Sequence, residues 1–306
     1  MDERKQKTQA YFDEVNERYT DFYRPDAPLT IFPSGPMREE KARRLVQQYK
    51  PVGSRVLDTG CGTGHFACQL AQLGYQATGI DISEGMVEQS QKTAQSHGLA
   101  DKVLFDTGDT EHLDFQSESF DAVTSLGVIE YLTTDAAMLS EVRRVLKPGG
   151  VAVIAFRNRL FNLFSQNQYT SREIEAGEMS ALLADYQAEA ASVRPEDLKT
   201  YAQVLVEQAR LAADEEAVPA PVGAAVGKAI PIELRQHTPR SAREACAAHG
   251  LVCKSLLYFH FHPFPPGFEK SHPRLYNRLA VAMEALTETS VGALMASAFV
   301  GAFVAE

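Results

Sequence analysis

The chain of 306 residues is 44% hydrophobic, which suffices for one large α/β core with a sizeable insertion. Its formal net charge of −10 at pH 7 argues against a nucleic-acid partner, because nucleic-acid phosphates require clustered lysines and arginines. The first residues lack the hydrophobic core of a secretion signal and no apolar run reaches membrane-spanning length, so we expect a cytoplasmic protein without a membrane partner.

The amino-terminal part predicts two helices, over residues 3–23 and 37–49. The first carries apolar and aromatic side chains at steps of three and four residues, which is typical of an amphipathic helix. These positions are Tyr11, Phe12, Val15, Tyr19, Phe22 and Tyr23.

Strand and helix patterns then alternate, which predicts a doubly wound, mostly parallel sheet with its ligand at the carboxyl ends of the strands. The predicted strands lie near residues 55–59, 76–81, 102–107, 119–126 and 150–157. The predicted helices between them lie near residues 64–73, 84–97 and 135–145.

A glycine turn follows the first predicted strand and indicates a nucleoside-type ligand. Gly60, Gly62 and Gly64 allow backbone N–H groups to approach a ligand at a helix N-terminus, and Asp81 follows at the distance where βαβ folds present a carboxylate to a ribose. Asp58 stands within this turn, where it would repel a pyrophosphate but suits a cationic amino group or hydroxyls. The turn therefore favours S-adenosylmethionine over NAD.

After the fifth strand the alternation breaks for roughly eighty residues, too many for an ordinary connection, which predicts a helical insertion over residues 158–236. Helices are predicted over 171–190 and 195–216, the second beginning with Pro195. A segment rich in Pro, Gly and Ala, 218–232, is interpreted as a lid hinge. The insertion is expected to cover the substrate, and the alternative is a dimerisation arm. The apolar stripe of the second helix is Leu198, Tyr201, Leu205 and Ala209.

The sheet is predicted to resume in the last seventy residues. Thr238 is a candidate N-cap for a helix ending near Gly250. A strand over 253–262, a helix over 273–288 and a final strand over 298–305 follow. The predicted organisation is 1–50, amino-terminal helices; 51–157, cofactor-binding core; 158–236, helical cap; and 237–306, the end of the core sheet.

From Tyr11 to about Phe156 the chain resembles the class I S-adenosylmethionine-dependent methyltransferases, especially the small-molecule branch that includes the ubiquinone-biosynthesis enzymes. The resemblance rests on five motifs in order, which span residues 56–64, 79–83, 108–111, 119–121 and 146–150. It implies a seven-stranded, Rossmann-like sheet whose last strand is antiparallel, with the two amino-terminal helices lying over the cofactor.

The resemblance also implies roles for individual residues. Asp58 and the glycine turn would hold the methionine part of S-adenosylmethionine, Asp81 the ribose, and Asp109 with Thr110 the adenine edge. Arg38 matches the position of an arginine on the methionine carboxylate, and its alternative is a solvated charge among neighbouring acids. The predicted cofactor-binding residues are Arg38, Asp58, Gly60, Cys61, Gly62, Gly64, Asp81, Ile82, Met86, Asp109, Thr110, Glu111 and Leu126.

The resemblance does not identify a catalytic base. Related O-methyltransferases often place a histidine after the fourth strand, where this chain has Tyr131, preceded by Glu130. Tyr131 is interpreted as an acceptor contact or, alternatively, as a packing residue. His237 and His260 are the other candidate bases. The predicted substrate-pocket residues are Tyr11, Tyr19, Tyr23, Arg157 and His262.

Neither a metal site nor a disulfide framework is predicted. His260 and His262 alternate on a predicted strand, so their imidazoles are expected to share one face, but a third ligand at metal-binding spacing is missing. The four cysteines form no Cys-x-x-Cys pair and are interpreted as core thiols. They are Cys61, Cys68, Cys246 and Cys253.

The sequence therefore predicts a methyltransferase that acts on a small organic molecule, with oxygen favoured over nitrogen or carbon as the acceptor atom. Alternatives are an NAD-dependent oxidoreductase, disfavoured by the turn spacing, and a nucleoside-binding module without transferase activity. The expected partner is the small-molecule acceptor, and the expected assembly is a monomer or homodimer.

Overall fold

The computed structural model describes residues 2–19, 34–213, 232–264 and 273–306, and its centre is a seven-stranded sheet of order β3-β2-β1-β4-β5-β7-β6. Strands β1 to β5 run parallel, whereas β7 is antiparallel to both β5 and β6. The predicted fold is confirmed. The strands are β1 Arg55–Thr59, β2 Gln76–Asp81, β3 Val103–Thr107, β4 Phe120–Ser125, β5 Leu146–Arg157, β6 Leu251–Phe261 and β7 Ala296–Ala305.

Helices cover both faces of this sheet, because the central strands are apolar on both sides. Val56 packs into a cluster with α2 and α3, while its neighbour Leu57 packs into the opposite cluster with α5 and α10. The helices are α1 Glu3–Tyr19, α2 Ser34–Tyr49, α3 His65–Gln72, α4 Glu84–Ser96, α5 Ala136–Val145, α6 Asn162–Ser165, α7 Gln168–Glu175, α8 Met179–Ala191, α9 Pro195–Ala213, α10 Pro239–Ala247, α11 Pro273–Ala282 and α12 Gly292–Met295.

The insertion contains more helices than predicted. The segment 171–190 is not one helix, because α7 ends at Glu175 and α8 begins at Met179. Gly177 lies between them with φ +70°, a conformation that favours glycine. Its N–H donates to Ile174 O at 3.1 Å, which closes the end of α7.

The predicted apolar stripe of α9 is wrong for Leu198, Leu205 and Ala209, which are exposed, whereas Tyr201 packs against the core as predicted. Leu198 and Leu205 are 52% and 46% exposed, whereas Val204 is 4% exposed and packs into the core. The helix is oriented by Asp197, whose carboxylate accepts hydrogen bonds from Ser290 N at 2.8 Å and Ser290 Oγ at 2.6 Å. Helix α9 also contacts α11.

The remaining elements follow the predictions with shifted ends. Strand β5 begins at Leu146, and an irregular pairing with β4 accommodates the turn at 147–150. The helix predicted over 273–288 ends at Ala282 and continues as a 3₁₀ turn, Met283–Leu286. Thr238 caps α10 as predicted, because its hydroxyl accepts Ser241 N–H at 3.1 Å.

Three predictions fall on other parts of the chain. Phe22 and Tyr23, the lid hinge up to residue 231, and residues 214–216 at the end of the helix predicted over 195–216 lie outside the described residues. In the described ranges, none of the helices has the length and hydrophobicity that crossing a membrane requires.

Candidate active site

Two adjoining cavities open at the carboxyl ends of the parallel strands. Arg38, Gly127 and Glu130 line both of them. The first cavity brings together nearly all the predicted cofactor residues, namely Arg38, Asp58, Gly60, Cys61, Gly62, Asp81, Ile82, Met86, Asp109, Thr110, Glu111 and Leu126. The second, of about 300 Å³, contains the predicted Arg157, His260 and His262.

Asp81, the last residue of β2, is held in place by backbone hydrogen bonds. Its two carboxylate oxygens accept Gly62 N–H at 2.9 Å and Ser83 N–H at 3.0 Å. Burial raises the pKa of Asp81 above its ordinary value, and these two hydrogen bonds oppose the rise. The carboxylate is therefore fixed between the glycine turn and the start of α4, where it faces the cavity.

Asp58, near the end of β1, is the second buried acid of the first cavity and is 2% exposed. Thr124 on the neighbouring strand β4 donates its hydroxyl to Asp58 Oδ1 at 2.6 Å. Burial raises the pKa of Asp58 to about 7, although the bond from Thr124 lowers it. The group therefore changes charge near neutral pH and would become a carboxylate beside a cation.

Gly64 does not line the first cavity, in contrast to its prediction as a cofactor contact. It precedes α3 with φ +74°, and a Cβ atom there would lie 2.6 Å from Ser90 Cβ and 2.7 Å from Phe105 Cζ. Its hydrogen side chain permits close packing of the turn against α4 and β3. The third glycine of the motif thus has a packing role.

Helix α1 covers the far end of the first cavity. Lys5 pairs with Asp109 and Glu111, each at 2.6 Å, so a single cation on α1 bridges the two acids of the predicted adenine end. Thr110 lies between these acids and is 8% exposed, and its hydroxyl has no hydrogen-bond partner among the described residues. Thr110 is thus a cavity-lining residue whose hydroxyl has no hydrogen bond within the described part of the chain.

Arg38 on α2 lies where the two cavities meet, against Gly127. Its neighbour Glu39 is 3% exposed, and its carboxylate is bound by His65 Nδ1 and Gln69 Nε2, both at 2.8 Å. Glu39 is therefore not one of the solvated acids that the alternative interpretation of Arg38 assumed. Glu39 and His65 were not among the predicted site residues, because they are 26 residues apart and only the fold brings them together.

Glu130 and Tyr131 lie in the short 3₁₀ turn after β4 and face the first cavity. Glu130 Oε2 is buried without a hydrogen-bond partner in the described part of the chain. The Tyr131 ring contacts Phe12 of α1 edge to face at 5.2 Å. Burial raises the pKa of Tyr131 well above its ordinary value, so its phenol is neutral and can donate a hydrogen bond.

Tyr19 and Tyr11, both on α1, differ in position. Tyr19 lines the first cavity, and burial raises the pKa of its phenol. Tyr11 lines neither cavity and contacts Phe12 edge to face at 5.2 Å. Phe12 and Thr8 line the cavity instead, because they lie on the face of α1 that is turned toward the sheet.

His260 and His262 share one side of β6 as predicted, with ring centroids 4.5 Å apart. His262 hydrogen-bonds Tyr276 OH and Ser297 Oγ, the second at 3.0 Å. Burial, together with the charge of Arg157, lowers the pKa of His262 to about 4 and that of His260 well below its ordinary value. Both imidazoles are therefore neutral at pH 7.

His237 lies outside both cavity linings and is not retained as a candidate base. Its Nε2 pairs with Asp135 Oδ2 at 2.9 Å, and its ring packs edge to face on Phe156 at 5.2 Å. Its backbone N–H donates to Arg157 O at 2.9 Å, so the residue extends the edge of β5. The pair joins residues that are 102 positions apart, so the sequence pattern did not indicate it.

No metal cluster was found in the described ranges, because no three His, Cys, Asp or Glu side chains converge there. The cysteine thiols of these ranges are unpaired.

Comparison with known proteins identifies the domain. Residues 57–154 match the family model of the methyltransferase domain. A methyltransferase from Streptomyces halstedii, GfsG, is 33% identical over 47% of this chain and 55% of its own length. A demethylmenaquinone methyltransferase from Symbiobacterium thermophilum is 29% identical over 53% of this chain and 64% of its own length. The chain thus spans less than two thirds of the length of these relatives.

A solved structure extends the likeness of the fold to the whole chain. Magnesium protoporphyrin IX methyltransferase from Synechocystis PCC 6803, solved with bound SAH, superposes with a TM-score of 0.55, at 16% identity and 98% coverage of both chains. At this identity the likeness concerns the fold. The fold is that of the class I S-adenosylmethionine-dependent methyltransferases, and the match to the methyltransferase domain model covers residues 57–154.

Proposed function

We propose that the protein transfers the methyl group of S-adenosylmethionine to an oxygen atom of a small organic molecule. The observation that carries the proposal is the pair Asp58 and Asp81, which face one cavity from the ends of adjacent parallel strands. Asp58 at the glycine turn would repel the pyrophosphate of NAD, whereas it suits a cationic amino acid, and Asp81 suits a ribose.

The residues of the first cavity fit S-adenosylmethionine. Asp81 would accept the ribose hydroxyls, and Asp58 would stabilise the positive end of the methionine part. Thr110 Oγ1, which is buried and unpartnered in the described part of the chain, supports a polar contact to the adenine edge. Arg38 would bind the methionine carboxylate, because a guanidinium and a carboxylate pair in a bidentate manner.

S-adenosylmethionine supplies a methyl group that is already activated by its sulfonium, so the protein must chiefly position the acceptor and exclude water. The burial of Glu130 and the cover of α1 over the first cavity support water exclusion. The cap, through α6 and α7, would form the wall of the second cavity and select the acceptor.

Oxygen is favoured as the acceptor atom because Glu130 Oε2 is available where the two cavities meet. A hydroxyl oxygen of the acceptor would gain the methyl group while the carbon–sulfur electron pair stays on sulfur and the hydroxyl proton passes to Glu130. The neutral phenol of Tyr131 would donate a hydrogen bond that orients the hydroxyl.

Incubation with S-adenosylmethionine carrying a deuterated methyl group tests the proposal. Purified protein and a panel of hydroxylated, aminated and unsaturated small molecules are expected to give a mass increase on a hydroxylated compound, together with S-adenosylhomocysteine. Glu130→Gln should reduce turnover by about a hundredfold while cofactor affinity stays the same. Products that carry the deuterated methyl group on nitrogen or carbon would contradict the choice of oxygen. Cofactor binding without methyl transfer to any compound would favour a nucleoside-binding module without transferase activity.

A further inference from the structure

We infer that the methyl acceptor is a hydroxy carboxylic acid whose carboxylate is bound by Arg157 in the second cavity. The inference rests on the proposed function and names the substrate class of that same site. It is carried by the position, contacts and surroundings of Arg157.

Arg157 is the last residue of β5 and lines the second cavity without a counterion. Among the described residues, no carboxylate lies within ion-pair distance of its guanidinium, and its buried Nε has no hydrogen-bond partner. A guanidinium is always charged, and keeping it partly buried without an anion costs free energy. A bound carboxylate would supply both the countercharge and the missing acceptor.

The Arg157 guanidinium is held in place by Tyr169 of α7. Its Cζ lies 5.7 Å from the Tyr169 ring centroid, and Arg172 lies 5.4 Å from the same ring. Arg172 does not line the cavity and pairs with Glu233 at 3.1 Å. Of two arginines that share one tyrosine, Arg172 therefore has an acid partner, whereas Arg157 has none among the residues that the structure describes.

The charge of the second cavity is opposite to that of the whole chain. Its described lining contains two guanidiniums, Arg38 and Arg157, but only one carboxylate, Glu130. The two histidines add no charge at neutral pH, because burial lowers the pKa of both. Because Arg38 would pair with the methionine carboxylate of the cofactor, Arg157 is the guanidinium that remains for the acceptor, and its charge suits an anion.

Neutral polar groups surround the cation and suit the remainder of such a molecule. His260, with φ +58° near the end of β6, has a strained backbone that places its imidazole beside His262. Amide and hydroxyl side chains of the cap complete this wall. They are Asn162, Ser165, Asn167 and Gln236.

The arrangement also sets the orientation of the acceptor. Arg157 lines only the second cavity, whereas Glu130 lines both. A carboxylate on Arg157 is repelled by Glu130, so it occupies the far part of the cavity while the hydroxyl reaches the junction. The carboxylate therefore serves as the anchor, and the hydroxyl is the group that is methylated.

Matched pairs of small molecules test the inference independently of turnover. The protein is saturated with S-adenosylhomocysteine, and the binding of 3-hydroxybenzoate and 4-hydroxyphenylacetate is compared with that of their neutral amides by ligand-observed NMR. We expect the acids to bind at least about tenfold more tightly than the amides. This preference should disappear in Arg157→Gln, persist in part in Arg157→Lys, and remain unchanged in the matched control Arg172→Gln.

The outcomes separate this inference from the proposed function. Binding of S-adenosylhomocysteine to Arg157→Gln with unchanged affinity would establish that the variant is folded and that its first cavity is intact. Equal binding of acids and amides by the wild type, or an acid preference that survives in Arg157→Gln, would overturn the inference. A wild type that does not bind S-adenosylhomocysteine would instead contradict the proposed function.

Discussion

At the scale of single residues, two buried acids determine which ligand the first cavity accepts. Asp81 is fixed by Gly62 N–H and Ser83 N–H, and Asp58 by Thr124. Their environments differ, because Asp81 receives backbone donors, while Asp58 has a single hydroxyl and a pKa of about 7. Asp81 is therefore suited to accepting hydrogen bonds from a ligand, and Asp58 is suited to losing its proton beside a positively charged ligand.

Asp81→Asn should weaken the binding of S-adenosylhomocysteine by about tenfold to a hundredfold, because a hydrogen bond to a charged group contributes about 1.5–3 kcal/mol. Isothermal titration calorimetry measures the change. Asp106→Asn is the matched control, since Asp106 lies beside β2 on β3 but is exposed outside the cavity. Equal affinities for Asp81→Asn and the wild type would remove the ribose assignment.

The affinity for S-adenosylmethionine should depend on pH through Asp58. Because a cation favours the carboxylate and the pKa of Asp58 is about 7, binding below that pH must release a proton. Affinity should therefore fall as the pH decreases below 7, by at most about tenfold per pH unit. Calorimetry at several pH values tests this, and Asp58→Asn should bind weakly with no such dependence. A pH-independent affinity in the wild type would contradict the role of Asp58.

The same group has a consequence for stability without ligand. Asp58 binds its proton more tightly in the folded chain, with a pKa of about 7, than at its ordinary pKa of 3.8. Its contribution to the free energy of unfolding is therefore full at low pH and decreases as the pH rises between these two values. Asp58→Asn should remove this part of the pH dependence in urea unfolding.

At the scale of elements, the glycine turn joins β1 to α3, and its last glycine serves packing. Gly64→Ala should lower the free energy of unfolding by about 1–2 kcal/mol from the left-handed backbone and by about 1–3 kcal/mol from contact with Ser90 and Phe105. Gly98→Ala is the matched control, because Gly98 has φ +67° but nothing lies within 4 Å of an added Cβ. Urea unfolding of both variants measures the difference. Equal losses would show that packing at Gly64 contributes nothing.

Helix α1 should act as a cover whose docking depends on Lys5. This residue pairs with Asp109 and Glu111, and Asp13 accepts the Ser83 hydroxyl at 2.6 Å. Lys5→Gln should speed amide hydrogen exchange in α1 about fivefold, which corresponds to the loss of about 1 kcal/mol. Lys7→Gln, whose exposed pair with Glu3 lies within α1, is the control. Similar exchange in both variants would contradict docking through Lys5.

The sequence predicts an element well where neighbouring residues alone determine its structure. The buried strand β1 and the Thr238 cap are of this kind, because apolar runs and a capping threonine depend on local residues. The buried face of α9 was mispredicted, since Leu198 and Val204 belong to two neighbouring apolar faces of similar strength. The choice between them depends on Asp197 and its contact with Ser290, which is distant in sequence.

The site follows the same division. Asp58 and Asp81 are recognisable because they flank a glycine turn on consecutive strands. The pair of His237 with Asp135 was not predicted, because Asp135 comes from another part of the chain. Glu39 was missed because only the fold buries it and brings His65 to its carboxylate. Local sequence patterns do not indicate contacts between residues that are far apart in the chain.

At the scale of the whole molecule, the sheet places two ligand sites of different charge side by side. The first cavity is lined by Asp58 and Asp81, which suit a cationic cofactor, whereas the second has Arg157. They meet at Arg38, Gly127 and Glu130, so a methyl donor and an anionic acceptor would be held in adjoining sites. The cap lines part of the second cavity, so under the proposed function it would be the part that selects the acceptor.

The central claim is that the first cavity binds S-adenosylmethionine, and calorimetric titration tests it most directly. The wild-type protein is titrated with S-adenosylhomocysteine and, in parallel, with NADH. The account predicts saturable binding of one S-adenosylhomocysteine per chain, strongly weakened in Asp81→Asn, and no binding of NADH. Saturable binding of NADH in the absence of S-adenosylhomocysteine binding would contradict it.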